Sequence, residues 1–209
     1  MKKLILAAAA FLMVLSGCYV SNREQLEREY AETQAVLEGP EVTLEGLHHA
    51  EIYIKDYGIV AVELDADTAP ITVSNFVDLA NKGFYDGTKF HRIMEGFVVQ
   101  GGAPRTDWTE PVGRIKGEFS DNGIENNISH TEGVLSMARM SNSFNSASSQ
   151  FFIMVGDNTY LDGQYAAFGH VTDGYDIVKK ISEDARPTDS NGTIRPEEQP
   201  VIEKIVILD

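Results

Sequence analysis

Apolar residues along most of the chain fall in short runs with the length and composition of β-strands. Ala50, Ile52 and Ile54 alternate with polar residues, and a second run covers residues 59–64. This period of two predicts two strands joined by a turn at residues 56–58. Further strands are predicted at residues 90–94, 97–100, 134–138, 151–155, 166–171 and 201–208.

Two other segments have the spacing of helices. Pro70 suits the first turn of a helix, Val73 and Phe76 follow on one face, and Gly83 ends the pattern. A second helix is predicted at residues 175–181. Many short strands with two helices favour a closed antiparallel β-barrel, because closure removes exposed strand edges.

The length and composition fit one folded domain with appendages. The chain has 209 residues, of which 43% are apolar, and this is enough for one sizeable core. We expect a signal peptide at residues 1–17, an acidic tether at residues 18–47 and the folded domain at residues 48–209. The polar stretch at residues 21–38 predicts a helical or partly disordered tether, and a helix that binds a partner is the alternative.

The N-terminus has the pattern of an export signal. Lys2 and Lys3 precede an apolar run at residues 4–15 that is short for a membrane span. Residues 15–18 resemble the bacterial lipobox, whose cysteine becomes the lipidated first residue of the mature protein. Cys18 is the only cysteine, so the folded part has no disulfide to make. The alternative is an ordinary secretory signal with an incidental cysteine.

Lipidation at Cys18 would fix where the protein resides. A diacylglyceryl group supplies two acyl chains, and stable anchoring requires two. We therefore expect an extracytoplasmic, membrane-anchored lipoprotein of the bacterial cell envelope.

The net charge excludes one class of partner. It is −15 for the whole chain, and removal of residues 1–17 takes away Lys2 and Lys3, so it becomes −15 − 2 = −17. Nucleic acid and anionic lipid repel such a surface. A membrane contact would therefore depend on the lipid at Cys18 alone.

The candidate chemistry lies in residues 90–102. Two short apolar runs there predict a hairpin, and alternation along it brings Arg92, Phe97 and Gln100 to one surface beside an open groove. An arginine keeps its proton at ordinary pH, so its natural role is to hold or polarise an oxygen or nitrogen. The alternative for Arg92 is a salt bridge on the outer face of a strand.

These residues resemble the signature segment of the cyclophilin family of peptidyl-prolyl isomerases, with its arginine, phenylalanine and glutamine at the family's spacing. The similarity covers the chain from about residue 51 to the C-terminus. It continues at residues 133–138, 149–153, 161–163 and 168–169. The resemblance implies a closed eight-stranded antiparallel β-barrel capped by two α-helices, with a packed interior and a site on the outside.

The resemblance also implies the roles of individual residues. Arg92 takes the catalytic place, where it would favour a pyramidal, less conjugated proline nitrogen in the twisted state. Gln100 would hold the peptide backbone. The substrate-binding residues would be Phe97, Val98, Gln100, Ala138, Arg139, Phe152, Tyr160, Leu161 and Tyr165. Considered singly, the phenylalanines would be core residues.

Three residues depart from the common eukaryotic pattern. Val98 stands where methionine is usual, which gives the pocket less reach and more stiffness. Tyr160 replaces a tryptophan whose indole offers a donor to cyclosporin, so the resemblance does not extend to tight binding of that drug. Tyr165 replaces a histidine at the edge of the pocket. Activity is expected to survive these changes.

The predicted function is cis–trans isomerisation of X-Pro peptide bonds by a monomer that assists the folding of exported proteins. Its partners would be proline-containing peptides and unfolded proteins. The alternative is a non-catalytic proline-peptide-binding chaperone or scaffold, which would keep the pocket yet lose the arginine. A hydrolase would need a Gly-x-Ser-x-Gly motif, which the sequence lacks.

Metal and nucleotide motifs are absent from the sequence, so no cofactor and no metal are predicted. His48, His49 and Glu51 resemble a ligand group, but no further ligand stands at zinc-like spacing. The preferred interpretation of these three residues is the start of a strand.

Overall fold

A computed structural model describes residues 43–209 of the chain. No helix in this part is long and apolar enough to cross a bilayer. The predicted signal peptide, Cys18 and most of the predicted tether lie outside the described residues. The strands are β1 (Leu47–Ile54), β2 (Gly58–Asp65), β3 (Arg92–Met94), β4 (Val98–Gly101), β5 (Val134–Met137), β6 (Phe151–Met154), β7 (Ala167–Asp173) and β8 (Ile202–Ile207). The helices are α1 (Pro70–Asn81) and α2 (Tyr175–Asp184), with single 3-10 turns at Ser120–Asn122 and Thr159–Leu161.

The eight strands form one antiparallel sheet in the order β3-β4-β6-β5-β7-β2-β1-β8. The first two strands pair along their whole length, from Leu47 opposite Asp65 to Ile54 opposite Gly58. The sheet curls into a half-barrel with two helices. The mainly β fold with eight strands and two helices, predicted from the sequence, is therefore confirmed.

The closed barrel is not confirmed, because the two edge strands do not form a ladder with each other in residues 43–209. Beyond β3, the next partner is the loop segment at residues 192–194. Ile93 donates its backbone N–H to Gly192 over 2.8 Å, and Ile194 donates to His91 over 3.0 Å. Strand β8 pairs at its start with the segment before β3 and not with β3 itself: Ile202 donates its backbone N–H to Thr88 over 2.8 Å, Gly87 donates to Ile202 over 2.7 Å, and an isolated bridge joins Val201 to Lys89. A loop thus covers the edge that closure would have paired.

The inner cluster is the main hydrophobic core, enclosed by the concave face of the sheet and the two helices. Phe76 on α1 packs its ring 5.1 Å from Tyr85, 5.4 Å from Phe151 and 5.3 Å from Phe168. Val178 on α2 is also fully buried. These contacts explain the apolar periodicity of both helices, whose buried faces close over the sheet.

Glu118 holds the start of α1. Its carboxylate accepts the backbone N–H groups of Ile71 over 3.0 Å and of Thr72 over 2.8 Å. A helix leaves its first N–H groups without partners, and a carboxylate there is favourable for the helix dipole as well. The Glu118 side chain is buried, so it replaces the local cap that Ala69 cannot provide.

Successive residues of the strands that carry the site point to opposite sides. Val99, Leu135 and Ile153 belong to the inner cluster, while Val98 and Phe152 belong to a second cluster on the other face. We call this second group the outer cluster. The period of two in a strand accounts for the division, and it puts apolar surface outside the core.

Candidate active site

Four side chains stand in one row across four neighbouring strands. Arg92 on β3 is opposite Gln100 on β4, Gln100 is opposite Phe152 on β6, and Phe152 is opposite Ser136 on β5. Residues paired directly across antiparallel strands share a face. The row therefore brings a cationic donor, an amide and an aromatic ring to the outer surface of the sheet.

Arg92 is held by neutral partners. Its Nε donates to the carbonyl oxygen of Asn191 over 2.8 Å, and its Nη1 donates to Oε1 of Gln100 over 3.0 Å. Its Nη2 contacts Sδ of Met94 at 3.0 Å, and its Cζ lies 5.7 Å from the centroid of the Phe97 ring. A guanidinium has five N–H donors, so these contacts orient the group and use only part of its capacity.

The salt bridge considered for Arg92 is not present in residues 43–209, since no carboxylate in that range lies within ion-pair distance of it. The positive charge is therefore not neutralised by a neighbouring side chain there. No ion pair within these residues therefore reduces the charge that Arg92 presents to the adjoining surface.

The outer cluster borders the row. Its buried members are Val98, Val134, Phe152, Met154, Leu161 and Ala167, and the half-buried Phe97, Ile128, Ala138 and Tyr165 pack against them. Six of the residues predicted to bind substrate belong to this cluster: Phe97, Val98, Ala138, Phe152, Leu161 and Tyr165. The structure thus brings most of the predicted pocket together around the Phe152 ring.

Two predicted residues lie at the margins of the outer cluster. Tyr160 is 63% exposed, and its ring stacks on Phe97 with centroids 6.2 Å apart and an angle of 21°. Arg139 carries its guanidinium 4.6 Å from the centroid of Tyr165 and 5.1 Å from that of Phe144. Both can contact a long ligand without being part of the apolar centre.

Titration next to the site is governed by burial. Burial lowers the pKa of His91, and the charge of the adjacent Arg92 lowers it further. Burial also lowers the pKa of His130, against the opposing effect of Asp162. Both imidazoles are therefore neutral at pH 7, so neither adds a positive charge to that of Arg92.

The family to which the chain belongs follows from comparison with known proteins. A family model described as cyclophilin type peptidyl-prolyl cis-trans isomerase/CLD matches residues 49–207. The chain belongs to the cyclophilin-type peptidyl-prolyl cis–trans isomerase family. Cyclophilins are prolyl isomerases, so the chain is an enzyme of this class, and the alternative of a non-catalytic binder is not favoured.

Individual cyclophilins resemble most of the described chain. It is 46% identical over 133 residues to peptidyl-prolyl cis-trans isomerase A of Dickeya dadantii, covering 60% of this chain and 67% of that protein. It is 36% identical over 162 residues to peptidyl-prolyl cis-trans isomerase B of Escherichia coli, covering 73% and 95%. A crystal structure of a cyclophilin from Cryptosporidium parvum in the presence of the dipeptide Ala-Pro has a TM-score of 0.65 and 27% identity, covering 77% and 99%.

Sequence reasoning missed three groups that contact Arg92 or Gln100. Gln150 accepts a hydrogen bond from Nε2 of Gln100 over 3.1 Å. It lies in the motif at residues 149–153, but no role was predicted for it. Met94 and the carbonyl of Asn191 contact Arg92. The residue type at position 191 does not indicate that its backbone carbonyl will contact Arg92, which is 99 positions away in the sequence.

A glycine brings Asn191 to this place. Gly192 has φ +84°, and a Cβ there would lie 2.6 Å from the carbonyl oxygen of Ile93. Only glycine combines this left-handed backbone with so close an approach. The loop can therefore lie against β3, where it presents the Asn191 carbonyl to Arg92.

The histidines near the start of β1 are occupied by contacts with other residues. His49 Nδ1 lies 2.8 Å from Oδ2 of Asp209, and its Nε2 lies 3.5 Å from Glu63. His48 contacts the carbonyl of Glu45 at 3.2 Å. Across the described part of the chain, no group of three or more acidic, histidine or cysteine side chains has the arrangement of a metal site.

Proposed function

We propose that Arg92 is the catalytic residue of this isomerase and that the outer cluster receives the proline ring. The observation that carries the proposal is the row from Arg92 through Gln100 to Phe152. It combines a charged donor, an amide for the peptide backbone and an apolar floor. In this arrangement Phe97, Val98, Phe152 and Leu161 line the pocket.

The reaction requires no covalent step. The X-Pro bond rotates slowly because amide resonance imposes a barrier of about 20 kcal/mol. An acceleration of about 10⁵-fold requires roughly 7 kcal/mol of stabilisation that is specific to the twisted state. In that state the proline nitrogen is pyramidal and more basic, so it accepts a hydrogen bond that the planar amide accepts poorly.

Arg92 supplies such a donor without changing its own charge. Its contacts with Gln100 and Asn191 fix the plane of the guanidinium before substrate arrives, and preorganised donors cost little reorganisation during reaction. The partners are neutral, so no carboxylate competes with the substrate for the charge. In our proposal the remaining N–H groups are the ones that donate to the substrate.

The remaining predicted residues fit a role in peptide preference. Ala138 and Tyr165 pack on the outer cluster, and Arg139 and Tyr160 lie at its margins. In our proposal these four contact the residues that flank proline, while Gln100 holds the adjoining backbone.

The test is isomerisation of a short X-Pro peptide by the purified full-length protein and by Arg92→Ala. Removal of one preorganised donor of this kind typically costs about 10²–10³-fold in rate, and we expect a loss in that range. Arg92→Lys retains the charge but lacks the planar guanidinium with its several donors, so it should keep more activity than Arg92→Ala but less than the parent. Arg195→Ala removes an exposed arginine paired with Glu198 and should leave the rate unchanged.

Two outcomes would contradict the proposal for Arg92. One is parental activity in a folded Arg92→Ala protein. The other is tight binding of proline peptides by a parent that does not catalyse, which would favour the non-catalytic binder.

We also propose that the protein is a lipoprotein anchored outside the cytoplasm, where it assists the folding of exported proteins. The support is the sequence Leu-Ser-Gly-Cys at residues 15–18 after a short apolar run. Two acyl chains on Cys18 would hold the protein at a membrane. Cys18→Ser should move it from the membrane fraction to the soluble fraction, and its retention in the membrane would exclude lipidation as the anchor.

The folding role has a separate test. Deletion of the gene should lower the folded abundance of exported proteins that contain proline-dependent slow steps. Reintroduction of the parent should restore it, whereas Arg92→Ala should not. Unchanged abundance after deletion would remove the support for this role.

A further inference from the structure

His130 is a fully buried histidine beside the outer cluster, with both ring nitrogens in contact with polar side chains. Its Nδ1 lies 2.8 Å from Oδ1 of Asp162, and its Nε2 lies 3.0 Å from Oγ of Ser136. Its relative exposure is 0%. A buried imidazole with two such contacts has its ring orientation fixed at both ends.

The direction of each hydrogen bond follows from the charge on Asp162. An ionised carboxylate can only accept, so Nδ1 of His130 carries the hydrogen and donates to it. In the neutral ring Nε2 then accepts from the hydroxyl of Ser136. Asp162 also accepts from Oγ of Ser129 over 2.6 Å and from the backbone N–H of His130 over 2.7 Å. The carboxylate is therefore held firmly enough to position the ring.

The face of the imidazole contacts the floor of the proposed proline pocket. The rings of His130 and Phe152 stack with centroids 6.2 Å apart and an angle of 26°. Ser136 is the cross-strand partner of Phe152. The orientation of the Phe152 ring thus depends on the imidazole behind it, and a ring of that size has few other ways to pack once buried.

Through Asp162, His130 is also linked to Leu161, which forms the wall of the proposed pocket. Asp162 directly follows Leu161, which is buried in the outer cluster together with Phe152. His130 therefore joins two segments that are far apart in sequence: the strand that carries Phe152 and the turn that carries Leu161. No charged residue of the row takes part in this connection.

We propose that His130 is a positioning residue for the proline pocket. Through Ser136 and Asp162 it fixes the positions of Phe152 and Leu161 relative to each other. This inference rests on the proposed function of the outer cluster. His130 does not contact the substrate. It maintains the distance between floor and wall, and the fit of a rigid proline ring depends on that distance.

The test compares His130→Leu with His130→Gln in the full-length protein. Leucine fills similar space without hydrogen bonds, whereas the amide of glutamine can donate to Asp162 and accept from Ser136. We expect kcat/KM of His130→Leu to fall by on the order of tenfold, less than the roughly hundredfold loss that a displacement of 1 Å can cause. His130→Gln should recover most of the loss.

The matched control is Val178→Ala, which opens the inner cluster on α2. It should reduce stability without changing kcat/KM, so it separates positioning from a general loss of packing. The NMR signals of the Phe152 ring provide a second readout. They should shift or broaden in His130→Leu and remain parental in Val178→Ala.

The inference is overturned if folded His130→Leu retains the parental kcat/KM or unchanged Phe152 signals. If His130→Leu does not fold, Asp162→Asn replaces it. That change weakens one of the two contacts of the ring, and it should lower kcat/KM and perturb the same signals. A parent without isomerase activity would refute the proposed function instead, while the Phe152 signals would still report on positioning.

Discussion

The amide oxygen of Gln100 accepts a hydrogen bond from Nη1 of Arg92 over 3.0 Å, between two strands that pair directly. A neutral acceptor orients the guanidinium without cancelling its charge. A carboxylate in the same position would orient it equally well but would neutralise it. The amide of Gln100 in this position therefore favours an electrostatic role for Arg92 over a structural one.

Gln100→Glu tests this choice of partner. The new carboxylate should pair with Arg92 and reduce its field at the substrate, with an expected loss in kcat/KM of about tenfold, equivalent to about 1.4 kcal/mol. Stability should be unchanged or rise by up to about 1 kcal/mol. Gln100→Met, which removes the amide without adding charge, is the control. Equal kcat/KM values for the two variants would show that charge at this position does not matter.

Tyr160→Trp should increase affinity for cyclosporin. Tyr160 is exposed and stacks on Phe97, so the larger indole fits without disturbing the core. One additional hydrogen bond of this kind contributes up to about tenfold in affinity. Titration of the drug against both proteins measures the change, with Tyr160→Phe as the control that adds no donor. Equal affinities for Tyr160→Trp and the parent would show that the residue at position 160 does not determine the affinity for the drug.

Glu118→Ala should destabilise the protein by about 2 kcal/mol, because it leaves the partly buried backbone N–H of Ile71 and the buried N–H of Thr72 without partners. Urea denaturation of parent and variant measures the difference. The control is Glu125→Ala, which removes an exposed acidic side chain from the same segment and should have little effect. A loss no larger than that of the control would show that the helix start finds other partners.

His130 and His49 should make the free energy of unfolding depend on pH in opposite directions. The folded-state pKa of His130 is lowered by burial, so the unfolded chain binds protons more readily than the native state. Its contribution is full above pH 6.5 and decreases as the pH falls below that value. The pKa of His49 is raised, chiefly by its hydrogen bond to Asp209. Its contribution is full below pH 6.5 and is lost as the pH rises through the raised pKa.

Urea midpoints at pH 5, 6.5 and 8 separate the two effects. His130→Gln should reduce the gain in stability between pH 5 and 6.5, although His91 retains a gain of the same sign because its pKa is also lowered. His49→Gln should reduce the loss above pH 6.5. Unaltered slopes in both variants would contradict the assignment of these titrations.

The fold was predictable where the residue pattern of a single element indicates which of its faces is buried. Alternation near Ala50 identified β1 and β2, and the position of Pro70 identified the start of α1. The hairpin of Arg92 and Gln100 was predictable for the same reason, since both strands and their connection lie within a few residues. Local periodicity carries this information without knowledge of the partner elements.

Contacts between distant segments were not predictable. Glu118 holds a helix that begins 48 positions earlier in the sequence, and His130 contacts an acid 32 positions later. Residue type alone does not say which buried polar groups will meet. The closed barrel was predicted from strand number, but the cover of the β3 edge by a loop depends on the close approach of Gly192.

The division of alternate strand residues between the inner and outer clusters has a consequence for evolution. Val98 and Phe152 belong to the outer cluster, while their neighbours Val99 and Ile153 belong to the inner cluster. In our proposal, mutations at the first set tune which peptides are accepted, while the second set preserves the scaffold. A shift of pairing by a single residue would exchange the two sets, so the alignment of these strands is constrained even where individual residues of the outer cluster can change.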